Sequence, residues 1–178
     1  MNKRILLGVT GGIAAYKSAE LASLLIKEDF EVDVVMTKNA CEFITPLTFQ
    51  TIVKGPVYTD SFSPIEYYSV KHISLAERAD AIVICPATAN IIGKIAAGIA
   101  DDLLTTVILA IHKKTRILCP AMNTAMWENP IVKENLGILK DYGWKTVEPE
   151  AGRLACGEEG VGRLAHPDNI VAYINTLF

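Results

Sequence analysis

The chain reads as an α/β protein: a parallel sheet covered by helices on both faces, in a three-layer α/β/α arrangement. Two observations carry that expectation. Short, nearly all-apolar runs rich in Val, Ile and Leu alternate with segments of helical periodicity along the 178 residues. Turn signals separate them, the first being Thr10-Gly11-Gly12. Strands that alternate with helices connect as right-handed βαβ units, which cover both faces of a parallel sheet. A chain of this length holds one domain with a real core, residues 1–178, and is short for two.

Lys3 to Val9 reads as a buried strand, and Ile13 to Lys27 as a helix with Ile13, Leu21, Leu24 and Leu25 inward. Glu31 to Met36 is a second strand. Residues 41–53 carry no clear pattern, and Gly55 to Val70, rich in Pro, Ser, Tyr and Asp, reads as a long functional or interface loop. Ala81 to Cys85 is a third strand and Asn90 to Ala97 a helix. Asp101 or Asp102 caps the next helix, Leu103 to His112. Thr115 to Cys119 is a fourth strand, Pro130 to Tyr142 a helix and Trp144 to Val147 a fifth strand. Glu150 to His166 is Gly-rich and irregular; Pro167 to Leu177 closes as a helix with Pro in its first turn.

Composition excludes several classes of function. With 51% hydrophobic and 21% charged residues the chain is not disordered, and a net charge of −3 with interspersed signs offers no nucleic-acid or membrane stripe. No apolar run reaches the roughly 18 residues a membrane span needs. The apolar start is too short for a secretory signal. Mean hydropathy is +0.29, apolar enough to predict that sister subunits cover part of the surface. The four cysteines, 41, 85, 119 and 156, lack metal-site spacing, so a reduced, cytoplasmic protein without a metal is expected. Cys85 and Cys119 close strand-like runs and read as small core residues.

Ligands of parallel sheets bind beyond the carboxyl ends of the strands. Four loops leave such ends: Thr10 to Ile13, Thr37 to Asn39, Pro86 to Asn90 and Pro120 to Trp127. The last, Pro120-Ala121-Met122-Asn123-Thr124-Ala125-Met126-Trp127, follows a run that its proline should stop. One amide, two thioethers and an indole suit a flat ring and a polar handle; alone, the segment also fits a Met/Trp core plug. The Gly8 to Ala15 turn lacks G-x-G-x-x-G spacing, and Thr37-Lys38-Asn39 stands where a dinucleotide fold wants a ribose-binding acid. Hydroxyl, cation and amide suit a terminal phosphate, so a mononucleotide is favoured over NAD.

Two residues suit proton transfer. Ser74-Leu75-Ala76-Glu77 matches a capping box, which would start a helix at Ser74 and leave His72 just before its positive end. Neutral imidazole there can act as a base, although a lone loop histidine is often merely solvated. His112 and His166 read as structural. Cys156 lies between Arg153 and Arg163 with glycines at 157, 160 and 162, which reads as a mobile flap of about residues 150–166. Its arginines could recruit a phosphorylated or carboxylated substrate. A flexible loop with an incidental cysteine is the alternative.

Together these segments resemble the homo-oligomeric flavin-containing cysteine decarboxylases, nearly end to end. Gly8 to Lys17 resembles the first FMN loop, Lys71-His72-Ile73 the catalytic histidine segment, and Pro86-Ala87-Thr88-Ala89-Asn90 the PASANT motif. Pro120 to Trp127 matches PxMNxxMW, the most specific of the set. Ala155-Cys156-Gly157 with Gly160, Gly162 and Arg163 resembles the flap of the branch acting on phosphopantothenoylcysteine. Ile91 departs from the final Thr of PASANT, and Thr88 keeps the hydroxyl of its Ser.

The resemblance implies a Rossmann-like flavoprotein fold with FMN as cofactor, held by Gly11, Gly12, Ile13 and the Thr37-Lys38-Asn39 segment. Thr88, Ala89, Asn90, Ile91 and Ala121 complete that cofactor set. Asn123 and Met126, with Arg153, Leu154 and Ala155 of the flap, are implied to hold the substrate. The implied reaction converts (R)-4′-phospho-N-pantothenoylcysteine to 4′-phosphopantetheine in coenzyme A biosynthesis. FMN takes a hydride from the cysteinyl Cβ while His72 removes the thiol proton, CO₂ leaves the thioaldehyde, and hydride returns to the enethiolate with a proton from Cys156. Asn123 holds the departing carboxylate. FMN is implied to lie between subunits of trimers that can build dodecamers, and a separate synthetase is expected to supply the substrate. Three other readings stay open: oxidative decarboxylation of a peptide's C-terminal cysteine, a flavin prenyltransferase-like protein, and a non-catalytic regulatory relative.

Overall fold

The computed structural model describes residues 2–61, 71–153, 155, 157 and 159–178. Its main sheet contains β1 (Arg4–Val9), β2 (Glu31–Met36), β3 (Val57–Tyr58), β4 (Ala81–Ala87), β5 (Thr115–Pro120) and β6 (Lys145–Thr146). The order is β3-β2-β1-β4-β5-β6 and every pairing is parallel. Such a sheet needs both faces covered, which is why β4, and β1 after Arg4, are apolar along their length. Alternation then divides them. Ile5, Leu7 and Val9 enter one core with Val83 and Cys85; Leu6 enters the other with Ile82 and Ile84.

The first core is closed by α1 (Lys17–Lys27), α3 (Pro46–Val53) and α9 (Pro167–Asn175), through Leu21 and Leu25, Phe49, and Ile170 and Ile174. The second is closed by α4 (Lys71–Arg78), α5 (Ala89–Ala96), α6 (Leu103–Ala110) and α8 (Pro130–Asp141). A short α2 (Lys38–Cys41) and α7 (Thr124–Trp127) follow β2 and β5. The three layers expected from the sequence are present. Asp102 caps α6 as expected, in a reciprocal capping box with Thr105. Among the described residues no helix is long and apolar enough to cross a membrane.

Several expectations need correction. The helix expected from Ile13 opens with a 3-10 turn, Ile13–Tyr16, so the helical phase buries Ala15 and leaves Ile13 61% exposed. The 55–70 stretch contributes the edge strand β3; residues 62–70 lie outside the described residues. The irregular 150–166 stretch contains an antiparallel hairpin, β7 (Glu150–Arg153) and β8 (Glu159–Arg163), whose glycines hide the alternation that marks a strand. The third strand runs past its expected end at Cys85: β4 continues through Pro86 to Ala87 with a shift of register between Ile84 and Ala87, whereas β5 stops at Pro120.

The helix bearing His72 does not start at Ser74. It starts by Lys71, and Ser74 Oγ donates to the Lys71 carbonyl at 3.0 Å instead of capping. His72 therefore sits in the first turn of α4. The far end of α4 is tied to the sheet, where the Arg78 guanidinium binds the buried Asp33 carboxylate at 2.7 and 2.8 Å and the Tyr58 hydroxyl at 3.0 Å.

Candidate active site

The strand order reverses between β1 and β4, and a cavity of about 1000 Å³ opens beyond the carboxyl ends of these strands. The exits of β1 and β2 meet without a gap. A Cβ on Gly11 would lie 2.5 Å from Asn39 Cβ and 2.8 Å from the Asn39 carbonyl carbon, so only glycine fits. Thr37 caps α2 by accepting from Ala40 N–H at 3.2 Å, which leaves Lys38 and Asn39 exposed on the cavity. Thr10 joins the exits of β1 and β4: its buried hydroxyl donates to the Pro86 carbonyl at 2.6 Å and lies 3.4 Å from Thr88 Oγ1. Thr88 in turn caps α5 through Ile91 N–H. Ile91 borders the cavity but is 1% exposed and packs in the second core, so an aliphatic side chain suits the place where the family motif has Thr.

The opposite wall comes from the exit of β5 and from the hairpin. Asn123 caps α7, its Oδ1 accepting from Ala125 N–H at 2.8 Å, so any bond to an anion is made through Nδ2. Trp127 is buried, with Lys133 Nζ 3.4 Å from its ring centroid, so the indole belongs to packing while Met126 stays 47% exposed on the cavity. Strand β8 lies directly on this loop. Met122 N–H donates to the Gly162 carbonyl at 2.9 Å, and a Cβ on Gly162, at φ 145°, would overlap the Met122 carbonyl oxygen. A Cβ on Gly160 would likewise overlap Thr124 Oγ1, a buried hydroxyl without a hydrogen-bond partner. Gly160 and Gly162 are therefore contact residues of a seated strand, whereas Gly157, at φ 90°, has open space around it.

Most of the expected site residues border this one cavity. Gly11, Gly12, Ile13, Thr37, Lys38 and Asn39 stand at the β1 and β2 exits, and Thr88, Ala89, Asn90 and Ile91 at the β4 exit. Ala121, Asn123, Met126, Arg153 and Ala155 form the facing side. Leu154 and Cys156 lie outside the described residues. His72 is half-buried on α4 and does not border the cavity of its own chain.

The sequence reading placed Thr10 and Lys17 only within the first glycine-rich segment and Asp101 only as a possible helix cap, named none of them as a site residue, and did not mention Lys94. Lys94 on α5 binds Asp101 at 2.7 and 2.8 Å on the cavity edge and holds the Asp101 carboxyl below its ordinary value. Their seven-residue spacing carries no signal, whereas the Thr-Gly-Gly run could have marked Thr10. The Lys17 ammonium is held below its ordinary value, first by burial and then by the Arg163 charge. Behind the cavity, Cys85 and Cys119 are buried thiols; the hydrogen bond that the Cys119 thiol gives to Cys85, together with burial, pushes Cys119 well above the ordinary range, so it is an inert core residue. Among the described residues no three His, Cys, Asp or Glu side chains form a metal group.

A family model described as Flavoprotein matches residues 1–178. The chain belongs to the Flavoprotein family. It is 43% identical to a probable phosphopantothenoylcysteine decarboxylase of Streptococcus mutans, over 98% of both chains. It is also 48% identical to the coenzyme A biosynthesis bifunctional protein CoaBC of Bacillus subtilis, over 96% of this chain and 42% of that one. The chain thus spans less than half the length of the bifunctional relatives it matches. Among solved structures, the FMN-binding protein AtHal3 superposes with a TM-score of 0.87 at 37% identity, over 100% of this chain and 97% of that chain.

The donor set fits a phosphorylated flavin. Lys38 and the Asn39 amide give charge and donors at one end, and Ile13, Ala121 and Met126 give apolar flanks for a planar ring. A Cβ on Gly12 would stand in ordinary contact with Thr88 Cγ2, at 3.5 Å, which brings the exits of β1 and β4 close together on the cavity floor.

Proposed function

We propose that the chain decarboxylates (R)-4′-phospho-N-pantothenoylcysteine to 4′-phosphopantetheine, a step of coenzyme A biosynthesis, with FMN bound in the cavity. The observation that carries this reading is the convergence of the Gly11–Gly12, Thr37–Asn39, Thr88–Asn90 and Ala121–Met126 segments on one cavity, with the β7–β8 hairpin seated beside Asn123. Identity of 43% to a probable phosphopantothenoylcysteine decarboxylase over nearly full length supports the substrate. Bound there, FMN supplies a reversible two-electron acceptor for the cysteinyl carbon of the substrate.

The chain's own residues handle position and protons. Gly11, Gly12 and the Thr37–Asn39 segment hold the cofactor's phosphate end, and Thr88, Ala89, Asn90, Ile91 and Ala121 border its remainder. Asn123 Nδ2 donates to the substrate carboxylate, oriented by the cap that fixes Oδ1. Met126 covers the substrate, and Arg153 with Leu154 and Ala155 brings the hairpin over it. His72 takes the thiol proton. Since His72 does not border the cavity of its own chain, a neighbouring copy supplies it, in keeping with a trimer; the exposed Ile73 and Leu109 lie on the packed α4–α6 pair that such a copy would cover. Cys156 returns a proton to the sulfur-bearing product. A cysteine-ligating synthetase supplies the substrate, as a domain of the same protein or a separate one.

Anaerobic incubation of the yellow protein with phosphopantothenoylcysteine, read by mass spectrometry, tests the reading. A product lighter by CO₂ alone is expected. Loss of CO₂ and two further hydrogens, with bleached flavin, would assign oxidative decarboxylation instead, and an unchanged substrate would sink the proposal. In Cys156→Ser the product is expected to be replaced by the enethiol; unchanged turnover would remove the proton-donor role.

A further inference from the structure

Positive charge on the cavity gathers in two places. One is Lys38, at the β1 and β2 exits. The other lies where α1 begins and β8 ends: Lys17 is the first residue of α1, Arg163 the last of β8, and both border the cavity. Among the described residues neither has a hydrogen-bond or ion-pair partner. Arg163 extends across the hairpin, its Nη1 3.4 Å from where a Cβ on Gly152 would stand. The nearby carboxylate, Glu150, faces Arg163 in the strand register, but its Oε1 already accepts from His166 N–H and Asn169 Nδ2, each at 3.0 Å. Glu159 faces Arg153 across the same hairpin, and Glu20 on α1 also acts on Lys17, but among the described residues neither forms an ion pair with Lys17 or Arg163. Partial burial of Lys17 and the charge of the exposed Arg163 lower the Lys17 ammonium, as expected of a cation held near another.

Two unpaired cations that crowd each other are stabilised by an anion, and a phosphomonoester carries about −2 charge at neutral pH. An Arg fork beside a Lys point charge suits its oxygens. The site is also conditional on the hairpin, because the Gly162 carbonyl that bonds Met122 N–H immediately precedes Arg163. We propose that Lys17 and Arg163 form a subsite for the phosphomonoester end of the substrate, distinct from the cofactor's phosphate place at Lys38, and set the preference for phosphorylated over dephosphorylated forms. This rests on the function proposed above.

The test uses the FMN-loaded protein and needs no turnover. Calorimetry compares 4′-phosphopantetheine with pantetheine on the parent protein, Lys17→Gln, Arg163→Gln and the charge-keeping Lys17→Arg. The parent is expected to prefer the phosphorylated thiol by at least tenfold. Each Gln variant should lower that ratio at least fivefold with FMN still bound, and Lys17→Arg should restore most of it. An unchanged ratio in both Gln variants overturns the subsite while leaving the decarboxylase reading intact. Loss of FMN from both would assign the pair to the cofactor's phosphate and also overturns it. A parent protein that binds neither thiol and releases no CO₂ sinks the function and the subsite together.

Discussion

The wall of the cavity at the exits of β1, β2 and β4 and the wall formed by the hairpin both depend on glycine, for different reasons. Gly11 sits where two strands already fixed by the sheet bring their exits together, so its environment is inherited from β1 and β2 pairing. Gly160 and Gly162 sit on a ribbon that the main sheet does not pair with; β8 is fixed because its backbone lies flat on the Met122–Thr124 loop. The first wall is as stable as the sheet. The second is a contact between the β7–β8 hairpin and the Met122–Thr124 loop, outside the pairing of the main sheet.

His72 belongs to neither wall, and its removal should have the largest effect. His72→Asn is expected to lower CO₂ release by about 10³-fold while FMN stays bound, within the range of general-base contributions. Mixing it with an Asn123→Ala variant under conditions of subunit exchange should restore part of the activity if one copy brings the base and another the cavity. No rescue after demonstrated exchange would place both residues in one chain's site.

The two glycine walls should fail differently. Gly162→Ala forces the hairpin off the Met122 carbonyl and misplaces Asn123, for an expected loss of about 10²-fold in turnover with FMN retained. Gly11→Ala pushes Asn39 and α2 outward, for an expected loss of about tenfold or more in FMN affinity. Flavin absorbance after dialysis and turnover at saturating FMN separate the two. If Gly162→Ala releases FMN, or Gly11→Ala keeps it while losing turnover, the division of labour between the walls is wrong.

A smaller effect is expected within the first wall. Thr10→Val leaves the Pro86 carbonyl without its donor, a cost of about 1–3 kcal/mol for a buried acceptor. A Tm lower by about 2–12 °C should result, since 1 kcal/mol is about 2–4 °C at this size. An unchanged Tm would mean that the β1 and β4 exits hold together without this bond.

This contrast also explains what the sequence disclosed. The sheet was legible because a parallel strand buried on both faces must be apolar throughout, as Leu6 and Leu7 or Val83 and Ile84 are. The strand exits followed from it, and with them the first wall. The hairpin was not legible, because Gly152, Gly160 and Gly162 carry no side chains whose alternation would mark strands, and the fit of Gly160 and Gly162 depends on the Met122–Thr124 loop, far away in sequence. Ile13 misled because a 3-10 turn changes the helical phase. Thr10 and the Lys94–Asp101 pair act through contacts that only the folded chain brings about. His72 was marked by its segment, but its absence from the cavity could not be read from one chain's sequence.

The base of the hairpin gives the mildest test. Glu150, at the start of β7, accepts from His166 N–H and Asn169 Nδ2 at the entry to α9, and these bonds, led by the His166 N–H, hold its carboxyl below the ordinary 4.5. A carboxyl depressed in the folded state contributes stability that is present above its unfolded value and is lost as pH falls through the folded one. The carboxylate is well solvated, so the effect is small. Glu150→Gln keeps an acceptor oxygen and removes the titration. Tm of the parent should therefore fall more steeply than that of the variant below about pH 4.5, the two running parallel from there to pH 7. Parallel curves over the whole range would mean that the Glu150 charge does not hold the hairpin to α9, and that the second wall relies on the Gly162 contact alone.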